Sequence, residues 1–503
     1  MNVHTLPANN TPNTVLPASG PLPAIIDHWL AEEAPPSSTS QGFLDVVDPK
    51  TGETQARLVC GNPAVVQTAV AMAQTAFDVW AQTNVVERAL ILRRATQRIE
   101  AGAQVLASII HAETGKSLRD ALGEVSAVVE MGYFVAGEGR RFYGKTTTSA
   151  IAGRSASTQR QPVGVWALII ASNTPAANVA WKVFPALLCG NSMILKPSED
   201  TPYTALWMAQ QLTEAGLPTG VLQIVQGRGP EVGPSLVRHP LIAGISFTGS
   251  VAVGREIAQA AGARLAKVCL ELGGKNALVV CDDADLETAV EAALLSAFSN
   301  AGQRCAAASR LLVMPGIYAA FRERLLARTQ ALRLGSADAD DLGPVINVAA
   351  LRRLEQAMAS LPPDARVLCG GARVPGLPGY YWQPTIIENT SMSAAISQEE
   401  LFGPLTCLYR VDSLEDAISQ VHQVPFALTA AVHTQDIGRA LRFQAQCRVG
   451  VVSINGPTYG SEPHLPFGGL GASGNGWREA GTEALDVYSD WKTVYTRGTP
   501  QNV

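Results

Sequence analysis

Apolar residues recur at three- and four-residue spacing through positions 66–80, 86–102 and 118–135, a period that predicts amphipathic helices packed side by side. At Gly164 the rhythm changes. Short apolar runs at 165–171, 192–195, 221–225, 244–247 and 267–270 alternate with helical patterns at 178–188, 202–215, 231–238 and 251–262. Strands of that length separated by such helices predict a parallel, doubly wound sheet covered on both faces. Ligands of such sheets bind beyond the carboxyl ends of the strands, where Asn173, Lys196 and Thr248-Gly249-Ser250 fall. The region reads as a nucleotide binder. A second α/β pattern follows directly, with strands at 277–280, 311–314, 405–409 and 451–454 and helices at 286–300, 317–332, 349–361, 414–421 and 438–446. Residues 485–495 alternate in strand fashion, suited to pairing with another strand or another subunit.

Ahead of these patterns, positions 1–42 are rich in Pro, Ser and Asn around a short apolar patch at 25–30, and are expected to be mostly loop or disorder. Order is expected from Phe43-Leu-Asp-Val-Val-Asp-Pro-Lys-Thr-Gly52, a strand and a turn. At 503 residues the chain is too long for one ordinary core, so two or three domains are expected. Only 16% of residues are charged against 47% apolar, a composition that suits an oligomer hiding part of its surface. A net charge of −5 offers no attraction for nucleic acid or an acidic membrane. The eight cysteines form no CxxC pair and do not cluster with histidines, which speaks against a disulfide framework or a metal site and for a reducing compartment. With no secretory leader pattern and no run of about 18 apolar residues, the expectation is a soluble, cytoplasmic protein.

Two stretches carry the candidate chemistry. Glu271-Leu-Gly-Gly-Lys275 offers a carboxylate in a glycine-rich turn, and Gly302-Gln-Arg-Cys-Ala306 offers a thiol in a small-residue loop. Cys305 alone reads as a small buried hydrophobe and Glu271 alone as an ordinary paired acid. Together they suit covalent catalysis, the carboxylate taking the thiol proton or activating a water that attacks a thioester. Asn173 satisfies a turn or supplies an oxyanion donor. Lys196-Pro-Ser-Glu199 is a solvated pair or a grip on ribose hydroxyls. Phe247-Thr-Gly-Ser-Val-Ala-Val-Gly254 puts small residues where a strand feeds a helix, a place that binds phosphate, although no GxGxxG occurs. Glu400-Leu-Phe-Gly-Pro404 and Pro466-Phe-Gly-Gly-Leu-Gly-Ala-Ser-Gly474 are further tight loops.

In this order and at this spacing, with Cys305 following Glu271 by 34 positions, the motifs resemble those of the aldehyde dehydrogenase superfamily from about Phe43 to Tyr495. The resemblance implies an α/β fold: a doubly wound Rossmann-type nucleotide domain (43–139 and 161–271), an α/β catalytic domain (272–484) and a small β oligomerisation arm (140–160 and 485–503). It implies that Cys305 attacks the aldehyde, that the Asn173 amide and the Cys305 N–H hold the oxyanion, and that Glu271 activates the hydrolytic water. Lys182 and Glu479 fall where the family has an active-site lysine and a second, proton-relaying carboxylate. Lys196 and Glu199 match adenosine-ribose contacts, Thr248, Gly249 and Ser250 the pyrophosphate side, and Glu400 with Phe402 the nicotinamide-ribose side. A carboxylate at Glu199 repels a 2′-phosphate, so NAD is preferred with NADP possible.

Glu271 also favours water over coenzyme A as acyl acceptor, because acylating members generally lack this base. The resemblance further implies a homodimer or homotetramer. Trp181, Phe298 and Phe467 are expected to wall a substrate tunnel. Succinic semialdehyde members tend to carry Arg at the position of Trp181, and residues 455–467 hold no Arg or Lys, which disfavours a short carboxylated aldehyde. Arg304 is expected to make an outward structural contact. Thr174 replaces the usual aromatic after Asn173 and reshapes the floor of the site.

Overall fold

The computed structural model describes residues 22–31 and 42–497. Strand β1 (Ile25–Ile26) pairs in parallel with β3 (Thr54–Val59), which pairs antiparallel with β2 (Phe43–Val47). Trp29 exchanges both backbone hydrogen bonds with Ile224, at 2.9 and 2.8 Å. The apolar patch expected to be loop is therefore ordered. Ile26 and Trp29 enter the main core, and their burial offsets the cost of ordering the segment. The remaining positions of that expectation, 1–21 and 32–41, lie outside the described residues.

Four helices follow: α1 (Pro63–Trp80), α2 (Val85–Ala101), α3 (Ala103–Thr114) and α4 (Leu118–Glu138). Helix α3 went unrecognised in the apolar pattern. Only Gly102 separates it from α2, so the helical period runs through the break. Gly115 ends α3 in the left-handed region at φ 72°, and Ser117 caps α4 by accepting the Asp120 N–H. Next come β4 (Thr146–Thr148) and β5 (Arg154–Pro162), the second running past residue 160.

From here the expected alternation holds. Strand β6 (Val165–Ile169), α5 (Pro175–Leu188), β7 (Ser192–Lys196), α6 (Pro202–Glu214), β8 (Leu222–Ile224), α7 (Gly229–Arg238), β9 (Ile242–Gly249), α8 (Val251–Gly262) and β10 (Lys267–Leu272) build a five-stranded parallel sheet of order β10-β9-β6-β7-β8. Strand alternation explains its two-sided cover: Trp166 and Leu168 enter one core cluster while Val165 and Ala167 enter another. Sequence order reverses on either side of β6, and the loops after β6, β7, β9 and β10 all open on the carboxyl edge.

Three residues after β10 the second sheet begins with β11 (Asn276–Val280), followed by α9 (Leu286–Phe298) and β12 (Ala308–Val313). Strands β13 (Arg366–Cys369), β14 (Thr385–Glu388), β15 (Leu405–Arg410), β17 (Thr429–His433) and β18 (Val451–Ile454) complete seven strands in the order β13-β14-β15-β12-β11-β17-β18, parallel except for β13. Short β16 (Phe426–Ala427) pairs with β19 (Leu470–Gly471). Strands β13, β14 and β17 are additions to the expected set. The final strand β20 (Ser489–Arg497) pairs with β5 along nine residues to form the arm, and a short helix, Ala484–Val487, precedes it. Trp166 packs edge-on against Tyr488 at 4.7 Å, tying the base of β20 to the first sheet for about 0.5–1.5 kcal/mol beyond simple burial. No helix among the described residues is long and apolar enough to cross a membrane.

The two sheets meet at unlike edges. Cys305 precedes β12 and Glu400 precedes β15, so the second sheet contributes its amino edge, whereas Asn173, Lys196, Thr248 and Glu271 come from the carboxyl edge of the first. That seam gathers the motifs.

Candidate active site

Glu271 is the penultimate residue of β10, and its carboxylate is buried with neither oxygen hydrogen-bonded among the described residues. The glycine-rich loop 466–474 lies along this strand: Leu272 N–H donates to the Ser473 carbonyl at 3.0 Å, and Asn475 receives the Leu270 N–H at 3.0 Å while donating to the Val268 carbonyl at 2.8 Å. A Cβ at Gly468 would stand 2.7 Å from Glu271 Oε1, so glycine lets the loop close over the acid. Burial pushes the Glu271 proton affinity well above the usual carboxylate range. The charge of Glu479 adds to this, and Lys182 and Arg478 oppose it.

The thiol loop begins where α9 stops. Asn300 and Ala301 take left-handed φ/ψ values of 54°, 37° and 52°, 36° before Gly302, a conformation costing about 1–3 kcal/mol for each non-glycine residue. Side chains from three elements hold the strained turn. Asn173 Nδ2 donates to the Gln303 carbonyl at 3.0 Å, Asn276 Nδ2 to the Cys305 carbonyl at 2.7 Å, and Thr458 Oγ1 to the Ala306 carbonyl at 2.7 Å. Cys305 is half-buried, and burial pushes its thiol up to about 12. The charges of Glu400 and Glu271 add to that rise, while Arg304 and the Ala306 N–H counter it. Attack requires the thiolate, so the thiol must first lose its proton.

The Gly-Gly pair after Glu271 has a steric purpose. A Cβ at Gly274 would lie 2.5 Å from the Cys305 carbonyl oxygen, and one at Gly273 would overlap the Glu400 carboxylate. Three motifs converge on two positions without side chains.

Lys182, on α5, is buried and forms an ion pair with Glu479. It also donates to Ser246 Oγ at 2.9 Å, and that hydroxyl donates to Glu479 Oε1 at 2.9 Å. The Glu479 backbone exchanges hydrogen bonds of 2.8 and 2.9 Å with Phe467. These two site residues therefore form one hydrogen-bonded group with Ser246, a residue the motifs did not single out.

On the first sheet's edge, Lys196 Nζ donates to the Pro197 carbonyl at 2.6 Å and approaches Glu199 Oε2 at 3.4 Å. Burial lowers the Lys196 pKa and Glu199 opposes the shift. Glu199 Oε1 accepts the Gly229 N–H at 3.5 Å. Thr248 Oγ1 is buried without a partner, Gly249 ends β9, and Ser250 caps α8 by accepting the Val253 N–H at 3.4 Å. An orphaned hydroxyl beside a helix N-terminus suits a bound phosphate. Glu400 Oε1 accepts the Gly274 N–H at 3.0 Å, and burial raises its carboxyl to about 7 against the pull of that N–H, Lys275 and Arg353. Phe402, two residues on, sits at φ 54°.

Trp181 and Phe467 pack edge to face at 5.6 Å. Phe298 stands apart from that pair, buried in the core beneath β11 and β12. Arg304 donates from Nε to Ser299 Oγ at 3.1 Å and lies 4.6 Å over the Tyr459 ring.

The model of the aldehyde dehydrogenase family matches residues 36–494. The chain belongs to that family. It is 38% identical to the alpha-ketoglutaric semialdehyde dehydrogenase of Bacillus subtilis, over 86% of this chain and 90% of the relative. It is 37% identical to an Escherichia coli succinate-semialdehyde dehydrogenase named for NADP(+), over 89% and 93% of the two chains. Among solved structures, betaine aldehyde dehydrogenase of Staphylococcus aureus in complex with NAD+ superposes with a TM-score of 0.91 at 30% identity, covering 95% of each chain. The expected aldehyde dehydrogenase fold, with its parallel sheets, is therefore established.

Several residues of this aldehyde dehydrogenase that build the seam were absent from the motif reading. Asn276 carried a faint signal, a polar residue opening an otherwise apolar strand. Glu124 carried a clearer one, since it falls on the buried stripe of α4 between Ala121 and Val128. Lys116 and Ser246 become visible only once their partners are in place.

Proposed function

We propose that this chain oxidises an aldehyde to the carboxylic acid with NAD as hydride acceptor, Cys305 carrying the acyl group and Glu271 serving as the base. The observation that carries this reading is the buried, unpartnered Glu271 carboxylate beside the loop of Cys305. The Cys305 thiol gives up its proton to solvent water and its sulfur bonds to the carbonyl carbon, the C=O electron pair moving to the oxygen, where the Asn173 amide steadies the oxyanion. When bound, the nicotinamide supplies the acceptor for the hydride that leaves that carbon. Glu271 then takes a proton from water as its oxygen attacks the thioester, the C–S bond breaks as the acid leaves, and the sulfur takes up a proton from solvent.

Lys196, Glu199, Thr248, Gly249, Ser250, Glu400 and Phe402 fit the cofactor, and the Glu199 carboxylate favours NAD over a 2′-phosphorylated analogue. The Trp181–Phe467 pair supports an apolar wall for the substrate. A second reading, a semialdehyde with an anionic tail, is favoured by Arg304, which neighbours the nucleophile and forms no ion pair among the described residues. Strand β20 is an open edge of the arm and β18 an open edge of the second sheet, so strand addition between copies supports a homodimer or homotetramer. All eight cysteines are free, which fits a cytoplasmic setting.

The test is NADH formation across aliphatic, aromatic and carboxylated aldehydes, with product analysis in the presence and absence of coenzyme A. Cys305→Ala is expected to abolish turnover while NAD still binds. A folded variant that still turns over would sink the covalent mechanism, and an acyl-CoA product would replace water as acceptor.

A further inference from the structure

The helix that follows Asn173 begins without a cap of its own. Thr174 precedes Pro175 at the start of α5 and its side chain makes no capping bond. The open N–H groups are instead met from another helix: Glu124 Oε1, on α4, accepts from Ala176 N at 2.8 Å and Ala177 N at 3.2 Å. The second Glu124 oxygen receives Lys116 Nζ at 2.7 Å, and the same ammonium donates to the Asn173 carbonyl at 2.9 Å. Both side chains are buried. Asn300 Nδ2, from the strained turn before Cys305, donates to that same carbonyl at 3.1 Å. Residues 173–177 are thus gripped at both ends by one buried ion pair, and the gripped backbone carries the amide that reaches the Gln303 carbonyl.

We infer that Lys116 and Glu124 are positioning residues that set the Asn173 amide relative to Cys305, an inference that rests on the oxyanion role proposed for Asn173. A buried ion pair is a poor source of net stability, because desolvation consumes most of its Coulombic gain, whereas it fixes geometry well. An oxyanion donor misplaced by a fraction of an ångström loses most of its effect, so the pair is tied to rate more than to substrate affinity.

The experiment is a double-mutant cycle on steady-state oxidation, with NAD binding and thermal unfolding measured in parallel. Glu124→Ala is expected to lower kcat about 10- to 100-fold with little change in the KM for NAD. Glu124→Gln, which keeps an oxygen for the two N–H groups, and Lys116→Met guard against loss of fold and are expected to fall in between. Lys116→Arg, retaining a cation, is expected to recover part of the loss. In an Asn173→Ala background the Glu124 substitutions should cost less than about 2-fold more. Full, multiplicative losses in that background, or folded Lys116→Met and Glu124→Gln variants with unchanged kcat, would overturn the inference. An Asn173→Ala enzyme that keeps normal turnover would instead sink the oxyanion role itself.

Discussion

Two buried glutamates share the seam between the sheets, and their surroundings are opposite. Glu479 is bonded to Lys182 and Ser246 and anchored through its backbone to Phe467. Glu271 has no hydrogen-bond partner among the described residues, and burial together with the neighbouring charge of Glu479 raises its proton affinity. The contrast assigns different work to the same functional group. A carboxylate bonded to a lysine and a serine is fixed in place, whereas a buried one without such partners has its proton affinity raised and is suited to act as a base. The sharpest way to break this comparison is Glu271→Gln, which preserves shape and removes the base. Turnover should fall by about 10²- to 10⁴-fold, with the first equivalent of NADH still formed as a burst under stopped flow. A variant with wild-type turnover at every pH would transfer the base to another group.

The partnered half of the comparison makes a stability prediction. Lys182→Met strips the cation from Glu479 and leaves its carboxylate buried beside Glu271. Breaking one side of a buried pair costs about 3–5 kcal/mol, so a large drop in unfolding free energy by denaturant titration is expected. Adding Glu479→Gln should recover part of it. If the single substitution is silent, the pair is not held as the geometry describes.

The parts of this arrangement that could be read from residue order alone are those whose chemistry demands a particular residue type. Cys305 and Glu271, each bland alone, stand out as a pair beside the Gly-Gly turn because a nucleophile, a base and a close backbone approach have few substitutes. The alternation of β6 to β10 with their helices was legible because buried parallel strands are continuous apolar runs. Strand β17, an Ala-rich Thr-Ala-Ala-Val-His, and the half-exposed edge strand β13 carry too little apolar contrast to stand out. Lys116 lies 57 residues from Asn173, so its partner is set by how the turn between α3 and α4 packs against the start of α5, which no local pattern encodes. Phe298 marks where local pattern stops: an aromatic beside the thiol loop reads as tunnel wall, and the structure sets it in the core cluster that includes β11 and β12 residues.

The smallest expected effect is also the most specific to the comparison. If the charge on Glu479 helps hold the proton on Glu271, then Glu479→Gln removes one cause of that raised affinity. It also frees the Lys182 ammonium, which favours the ionised form of Glu271. Both changes lower the pKa of Glu271, so its base form accumulates at lower pH. Turnover limited by thioester hydrolysis rises with pH as Glu271 ionises, and the acid limb of kcat should move toward acid in this variant with the plateau changed by less than about 10-fold. A shift toward alkali, or a loss of plateau as deep as that of Glu271→Gln, would mean that Glu479 handles the proton itself.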